Sequence, residues 1–234
     1  MDQRGVSSRS GRERIGAAIE TAGIIAVIRI ADAQRLRAIV DALVEGGVGV
    51  IEVTMTVPGA VDLIRHLSTA LPPGVLLGAG TVLDVETASH VIDAGATFVV
   101  SPVLKPALIE CGHRRDVVVM PGCFSPTEIL TAWEAGADFV KVFPATSLGP
   151  SFFKDVKGPL PSVKLIPTGG VTIDNAADWI RAGAAAVGVG TALLDATAIA
   201  RGEYGVVRAN AARIVASVSA ALRLRHDSSG HGAS

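Results

Sequence analysis

Cysteine, aromatic residues and surplus charge of either sign are all scarce in this chain, and each scarcity removes a class of protein. Only Cys111 and Cys123 occur in 234 residues. That is no disulfide framework, and the two form neither a C-x-x-C redox pair nor a zinc spacing. Aromatic residues make up 4% of the chain, and 21 basic side chains stand against 22 acidic ones. A nucleic-acid partner would find neither its electrostatic footprint nor its stacking surface here. The longest early apolar run, Ile24 to Ile30, is far shorter than the 18 or so residues of a membrane span. The polar first 14 residues lack the apolar segment of a secretion signal. A soluble chain with no membrane partner, in a reducing, cytoplasmic setting, is the expectation.

Apolar residues are abundant instead, at 49% with a mean hydropathy of +0.47, enough for one large core. Residues 1–13 and 226–234 are rich in Ser, Gly and charge and are expected to be disordered tails, leaving 14–225 as a single domain. Within it, eight short runs read as buried strands: Ile24–Ile30, Gly49–Thr54, Val75–Gly80, Thr97–Ser101, Val117–Pro121, Asp138–Phe143, Lys164–Thr168 and Ala186–Gly190. Their first residues lie 20 to 26 apart, room for a strand, a helix and two short loops. Helix signals fill the gaps. Asp32 reads as an N-cap before Leu36, Ile39, Val40 and Leu43, and Ser125-Pro126-Thr127-Glu128 reads as a capping box opening a helix to about Ala135. An α/β fold, a single (β/α)8 TIM barrel with a helix ahead of its first strand, is the expected architecture.

Four helix ends repeat one another. Glu45-Gly46-Gly47-Val48, Asp93-Ala94-Gly95-Ala96, Glu134-Ala135-Gly136-Ala137 and Arg181-Ala182-Gly183-Ala184 each lead into an even-numbered strand. Five residues beyond the aligned glycines stand Glu52, Val100, Lys141 and Gly188, which alternate-strand layering puts in one interior layer. A carboxylate then faces an amine across the barrel. Lys141 is the one lysine of five set inside an apolar strand, where burial disfavours the ammonium and frees a nucleophilic amine. Two readings stay open, a Schiff-base lysine with its acid–base partner or a buried ion pair without catalysis. An ionised Glu52 favours protonated Lys141 while burial opposes it, so the two effects pull in opposite directions. Glycines after the last two strands, Thr168-Gly169-Gly170 and Gly188-Val189-Gly190-Thr191, suit a phosphate held by backbone N–H groups or, equally, ordinary turns that need φ > 0.

Together these segments resemble the 2-keto-3-deoxy-6-phosphogluconate aldolase family, which includes the 4-hydroxy-2-oxoglutarate aldolases. The resemblance rests on Ile51-Glu52-Val53-Thr54, Gly78-Ala79-Gly80-Thr81-Val82-Leu83, Val100-Ser101-Pro102, Pro121-Gly122-Cys123-Phe124-Ser125-Pro126-Thr127-Glu128, Lys141-Val142-Phe143-Pro144-Ala145 and Pro167-Thr168-Gly169-Gly170-Val171, in order from about Gly23 to Leu194. It implies a class I aldolase of carbohydrate metabolism, of the Entner–Doudoroff type, working as a homotrimer on a small 2-keto acid with neither metal nor other cofactor. Lys141 would be the Schiff-base lysine and Glu52 the general acid/base. Thr81 and Thr168 would line the substrate pocket, Pro102 and Phe143 would wall it, and Gly169, Gly170, Gly190 and Thr191 would meet the phosphate. Substrates of phosphogluconate type, phosphogalactonate type and 4-hydroxy-2-oxoglutarate all fall within the family. One position departs from its pattern: Thr56 stands where an arginine for the substrate carboxylate is expected. Arg29, at the end of the first strand, could supply that clamp instead, with backbone N–H groups or Thr56 and Thr81 as alternative holders. A phosphate-binding barrel isomerase or synthase is the competing enzyme class, and a sugar-phosphate-binding barrel without turnover is the non-enzymatic one; neither needs Lys141. His90 and His113 fall on helices and read as surface residues.

Overall fold

The computed structural model describes residues 10–230, with side chains described through Arg225. Among the described residues nine short strands form: β1 (Ile24–Ile28), β2 (Val50–Thr54), β3 (Leu76–Gly80), β4 (Phe98–Val100), β5 (Val118–Met120), β6 (Gly122–Cys123), β7 (Val140–Val142), β8 (Leu165–Pro167) and β9 (Val187–Val189). All of the strand pairings are parallel. They make a curled six-stranded sheet in the order β5-β4-β3-β2-β1-β9 and a three-stranded sheet in the order β6-β7-β8. The expected run Val117–Pro121 forms β5, and past Pro121, which has no N–H to continue a ladder, Gly122–Cys123 forms the additional short strand β6, so the expected eight strands are nine among the described residues. Backbone bonds nevertheless cross between the two sheets. Asp138 N donates to Val119 O at 3.3 Å, Lys141 N to Pro121 O at 2.9 Å and Ala185 N to Leu165 O at 2.8 Å, and Thr168 bridges Gly188 in parallel.

Strand alternation explains why every strand reads as an unbroken apolar run. Ile25, Val50, Phe98, Val100, Val118, Met120, Phe139, Ile166 and Ala186 pack into an inner cluster. Their neighbours Ile24, Ala26, Ile51, Val99, Val119, Val140, Leu165 and Val187 pack outward against the helices. Both faces are covered, as parallel sheets require.

The helices are α1 (Gly11–Ala22), α2 (Leu36–Glu45), α3 (Ala60–Ala70), α4 (Val85–Asp93), α5 (Pro106–Arg114), α6 (Pro126–Glu134), α7 (Gly149–Lys157), α8 (Ala176–Arg181), α9 (Ala196–Ala200) and α10 (Tyr204–Gly230). None among the described residues is long and apolar enough to cross a membrane. Ile19 of α1 is fully buried in the inner cluster, so this helix closes the end of the sheet where the strands begin. A Ser10–Glu13 capping box opens it, and the Asp116 carboxylate accepts from Gly11 N and Arg12 N at 2.7 and 3.2 Å. These bonds move a boundary: Gly11, Arg12 and Glu13 are helical rather than part of a disordered tail. At the other end α10 runs on to Gly230, inside the segment 226–234. The remaining tail positions, 1–9 and 231–234, lie outside the described residues.

Local signals place the other elements. Asp32 caps a single 3-10 turn, Ala33–Arg35, so α2 starts at Leu36 instead of directly after the cap. Ser125 and Glu128 form the capping box of α6. Gly47, Gly95, Gly136 and Gly183 have φ of +91°, +103°, +90° and +102°, and the residue after each donates back into its helix (Val48 N to Leu43 O, Ala96 N to Val91 O, Ala137 N to Ala132 O, Ala184 N to Trp179 O). One left-handed helix stop, which only glycine adopts cheaply, therefore launches β2, β4, β7 and β9. His90 is exposed on α4, whereas His113 of α5 is half-buried, with Nε2 3.8 Å from Asp138.

Candidate functional site

Glu52 and Lys141 project from the inner faces of β2 and β7 and are, among the described residues, the buried carboxylate and the buried amine of the core, 3% and 6% exposed. No direct ion pair or hydrogen bond joins them, and Glu52 Oε1 is buried with no hydrogen-bond partner, among the described residues. Burial pushes the Glu52 carboxyl above its ordinary range, against the opposing pull of Lys141 and Arg29. Burial likewise pushes Lys141 below the ordinary lysine range; Glu52 resists this and Arg29 reinforces it. Desolvation therefore wins on both sides, and the pair is driven toward the uncharged amine and the uncharged acid. The Lys141 Nζ lies 5.0 Å from the centroid of the Phe143 ring.

Past the Phe143 ring that Lys141 faces opens a cavity of about 310 Å³ walled by Val27, Arg29, Phe143, Thr168, Gly169, Gly170, Val171, Gly188, Gly190, Thr191, Leu194 and Ala196; neither Glu52 nor Lys141 is among its lining residues. It gathers eight of the residues singled out from the sequence: Arg29, Phe143, Thr168, Gly169, Gly170, Gly188, Gly190 and Thr191. Gly188 leaves the space taken by the Thr168 hydroxyl, since a Cβ there would meet Oγ1 at 2.5 Å. Gly169 and Gly170 have φ of +90° and +74°, so the turn itself demands glycine. Among the described residues the amides of Gly169, Gly170, Val171 and Thr191 donate to no acceptor. Four unspent N–H groups on one wall make a receptor for an anion. Arg29, one residue past β1 and exposed, adds the cation.

Thr56, Thr81 and Pro102 do not line this cavity. Thr56 is exposed and its hydroxyl is 2.7 Å from that of Thr54, which is buried and donates to Ile28 O at 3.2 Å. Pro102 packs its backbone against Gly122, where a Cβ would come within 2.7 Å of Val103 N, and Gly122 is the register partner of Lys141. These three residues follow β2, β3 and β4 on the carboxylate's side of the site. Val27, Val171, Leu194 and Ala196 were not singled out; only the alternation Ile25, Val27, Arg29 along the first strand could have pointed to any of them.

Thr81 carries a backbone signal that its sequence does not announce. Its φ is +58°, an unfavourable region for a β-branched residue, held by Gly80 O accepting from Met55 N at 2.8 Å and by Val82 N donating to Val100 O at 3.1 Å. Its hydroxyl has no partner among the described residues. Left-handed strain costs about 1–2 kcal/mol, and the entropy of a new glycine costs about 0.4–1 kcal/mol. Thr81→Gly is expected to leave stability unchanged or raise it by up to about 1 kcal/mol while lowering turnover. Urea melts beside initial rates check this. A loss of more than about 1 kcal/mol would mean that the side chain holds the loop itself.

Among the described residues no group of three or more His, Cys, Asp or Glu side chains could hold a metal ion. The chemistry on offer is that of a desolvated amine, a desolvated carboxyl and an anion-binding wall. Comparison with known proteins matches residues 15–210 to the family model of KDPG and KHG aldolases. A probable 2-dehydro-3-deoxy-6-phosphogalactonate aldolase of Rhizobium meliloti is 37% identical over 174 residues, 73% of this chain and 81% of its own. A 2-dehydro-3-deoxy-phosphogluconate aldolase of Pseudomonas aeruginosa is 35% identical over 195 residues, 83% and 88% of the two chains. Among solved structures, KDPG aldolase from Legionella pneumophila, with pyruvate captured as a covalent carbinolamine, superposes with a TM-score of 0.79 at 29% identity, covering 85% of this chain and 97% of that one.

Proposed function

Since the chain belongs to the KDPG and KHG aldolase family and is on that ground an aldolase, a carbon–carbon lyase, we propose that it cleaves a 2-keto-3-deoxy-6-phospho sugar acid of phosphogluconate type to pyruvate and glyceraldehyde 3-phosphate through a Schiff base on Lys141. 4-Hydroxy-2-oxoglutarate, cleaved to pyruvate and glyoxylate, is the second substrate of the same site. The observation that carries this reading is the buried Glu52–Lys141 pair, unbonded and driven toward neutrality beside an anion-binding wall. An uncharged amine is a nucleophile and an ammonium is not.

The steps follow from those groups. The Lys141 amine adds to the C2 ketone, one proton is taken up from solvent and water leaves, giving an iminium that withdraws electrons from C3; the proton returns to solvent when the iminium is hydrolysed. Glu52, as carboxylate, takes the proton of the C4 hydroxyl, directly or through one water; the C3–C4 bond breaks and the aldehyde departs. The enamine left on Lys141 is protonated at C3, and water releases pyruvate. The free amides of Gly169, Gly170 and Thr191, with Gly190 beside them, receive the phosphate. Thr168 and Phe143 flank the reacting carbons, and Thr81 and Pro102 bound the carboxylate side. No metal or other cofactor enters this scheme.

Arg29 takes the substrate carboxylate, the task for which Thr56 lacks the charge. Its charge acts on both Glu52 and Lys141, which supports a role beside a 2-keto acid bound to that lysine. Arg29→Lys removes the planar fork but keeps the charge. The expected loss in kcat/KM is about tenfold to a hundredfold, shared by phosphorylated and unphosphorylated substrates alike. Wild-type rates on every 2-keto acid would return the carboxylate to Thr56 and Thr81.

A phosphogalactonate aldolase among the relatives favours one second reading: a substrate of phosphogalactonate type, of opposite configuration at C4. A panel of the phosphogluconate and phosphogalactonate acids and 4-hydroxy-2-oxoglutarate, followed by pyruvate release, decides between them. The phosphogluconate acid is expected to give the highest kcat/KM. If none of the three releases pyruvate, the reading fails.

The same reading closes the two sheets into one barrel of eight strands, β5 and β6 counting as one. The backbone bonds at Val119, Pro121 and Leu165 and the Thr168–Gly188 bridge support that closure. It also makes the protein a homotrimer of the cytoplasm. Leu83, Val103 and Phe124, 43–45% exposed on consecutive loops past β3, β4 and β6, with Leu130 of α6, are the apolar surface that a second copy would cover.

A further inference from the structure

The inner face of β3 carries two glycines, Gly78 and Gly80, opposite Glu52 and Thr54 in the β2–β3 register. Neither has a positive φ, so backbone freedom does not explain them; space does. A Cβ at Gly78 would stand 2.5 Å from Cζ of Phe98 and closer still to the edge of that ring. Phe98 is fully buried and rigidly packed in the inner cluster. The position directly across from Glu52 is thus filled by an aromatic ring, and the Glu52 side chain leans one step further toward the strand ends. There it lies on Gly80: an added Cβ would be 2.5 Å from Cδ of Glu52, 2.8 Å from Cγ, and in overlap with Oε1. All three atoms nearest to that Cβ belong to Glu52. The oxygen resting on Gly80 is also the one that is buried without a hydrogen bond, so no partner's bond fixes its place.

We propose that Gly80 is a positioning residue for the aldolase reaction: its bare Cα is the seat that holds the Glu52 carboxyl at the height of the substrate's C4 hydroxyl, with the Phe98 ring over Gly78 as the stop beneath it. The proposal rests on the acid–base role given to Glu52 above. A carboxyl that makes no hydrogen bond among the described residues is placed by shape, and a single methyl suffices to move it. The far end of a glutamate can swing where a ring or a backbone cannot. Gly80→Ala therefore folds, and its cost falls on Glu52.

Steady-state rates, pH–rate profiles and thermal melts of Gly80→Ala, alone and combined with changes at Glu52, test the seat. Displacing a catalytic group by about 1 Å costs on the order of 10²-fold, so kcat is expected to fall about 10- to 100-fold with KM unchanged. The acid limb of the profile should move as the carboxyl enters new surroundings. Added to Glu52→Gln, Gly80→Ala should cost less than about twofold more, because it acts through a group already removed. Glu52→Asp, with its carboxyl drawn back by one methylene, should lose less in the Gly80→Ala background than in the native one. Melts supply the arm that needs no activity: in Glu52→Ala, where nothing overlaps the new methyl, Gly80→Ala should not lower the melting temperature further, even if the single variant fails to fold. Wild-type kcat and pH profile in Gly80→Ala, losses that simply multiply with those of Glu52→Gln, or equal destabilisation with and without the Glu52 side chain would each overturn the seat. Glu52→Gln with undiminished turnover would instead sink the acid–base role and leave the melts to decide on the seat alone.

Discussion

Replacing Lys141 by methionine is expected to abolish pyruvate release, by on the order of 10⁵- to 10⁶-fold as for other lost covalent nucleophiles, while making the protein more stable. The amine is buried, makes no direct ion pair or hydrogen bond among the described residues and lies over the face of Phe143. Its removal strands no partner. A methionine fills the same straight volume and keeps a favourable contact with the ring. The folded-state pKa of Lys141 is lowered from 10.5, so between that lowered value and 10.5 the unfolded chain binds more protons than the folded one. Stability contributed through this group rises with pH across that window, and below it the full cost of burying or neutralising the ammonium is present. Lys141→Met removes the cost, with an expected gain of about 1–2 kcal/mol near neutral pH that shrinks toward pH 10. Melts of both proteins across that range check the sign. Incubation with pyruvate and borohydride checks the chemistry: the wild type gains a stable adduct at Lys141 and the variant gains none. Lys157, the other lysine with a lowered pKa, is no substitute, because its ammonium donates to Pro161 O and Val163 O. An adduct confined to Lys105, Lys154, Lys157 or Lys164 would defeat the Schiff-base assignment.

Glu52→Gln should fold, form the pyruvate adduct and lose about 10²- to 10⁴-fold in cleavage, the usual worth of a positioned acid or base. Two pH effects give it a signature. Burial raises the Glu52 pKa above 4.5, so the wild type gains rate as pH climbs through that raised value, and the variant lacks this limb. Glu52 also holds the Lys141 pKa up against burial; without the carboxylate that pKa falls further, and adduct formation should persist to lower pH than in the wild type. Peptide mass spectrometry after borohydride trapping across a pH series reads the second effect. A loss below about fivefold, or a trapping profile unmoved by the substitution, would return Glu52 to a structural role.

Much of this was legible in the chain before folding. Strand positions follow from apolar runs of a few residues, the left-handed stops at Gly47, Gly95, Gly136 and Gly183 from a repeated tetrapeptide, and the start of α6 from its capping box. All are local: the residues that decide lie within a turn or a strand of one another. Lys141 stands out for the same reason, as a cation inside Phe139–Phe143. Counting five residues from each repeated glycine puts Glu52, Val100, Lys141 and Gly188 on inner faces because strands of equal phase keep equal phase.

What the sequence left open depends on atoms far apart along the chain. Whether burial or Coulomb attraction governs Glu52 and Lys141 is set by how completely β1 to β9 and α1 exclude water, and desolvation prevails because no hydrogen bond compensates either group. The division of the sheet at Pro121, the left-handed backbone of Thr81 and the placing of Val27 and Leu194 on the cavity wall are equally silent in composition and spacing. The glycines show the boundary most clearly. Gly169 and Gly170 are glycine because the turn has positive φ, a local demand, whereas Gly78 and Gly80 are glycine because Phe98 and Glu52 arrive from neighbouring strands to occupy the space a Cβ would need. A chain can state its own backbone preferences, but only the packed structure decides what will press against them.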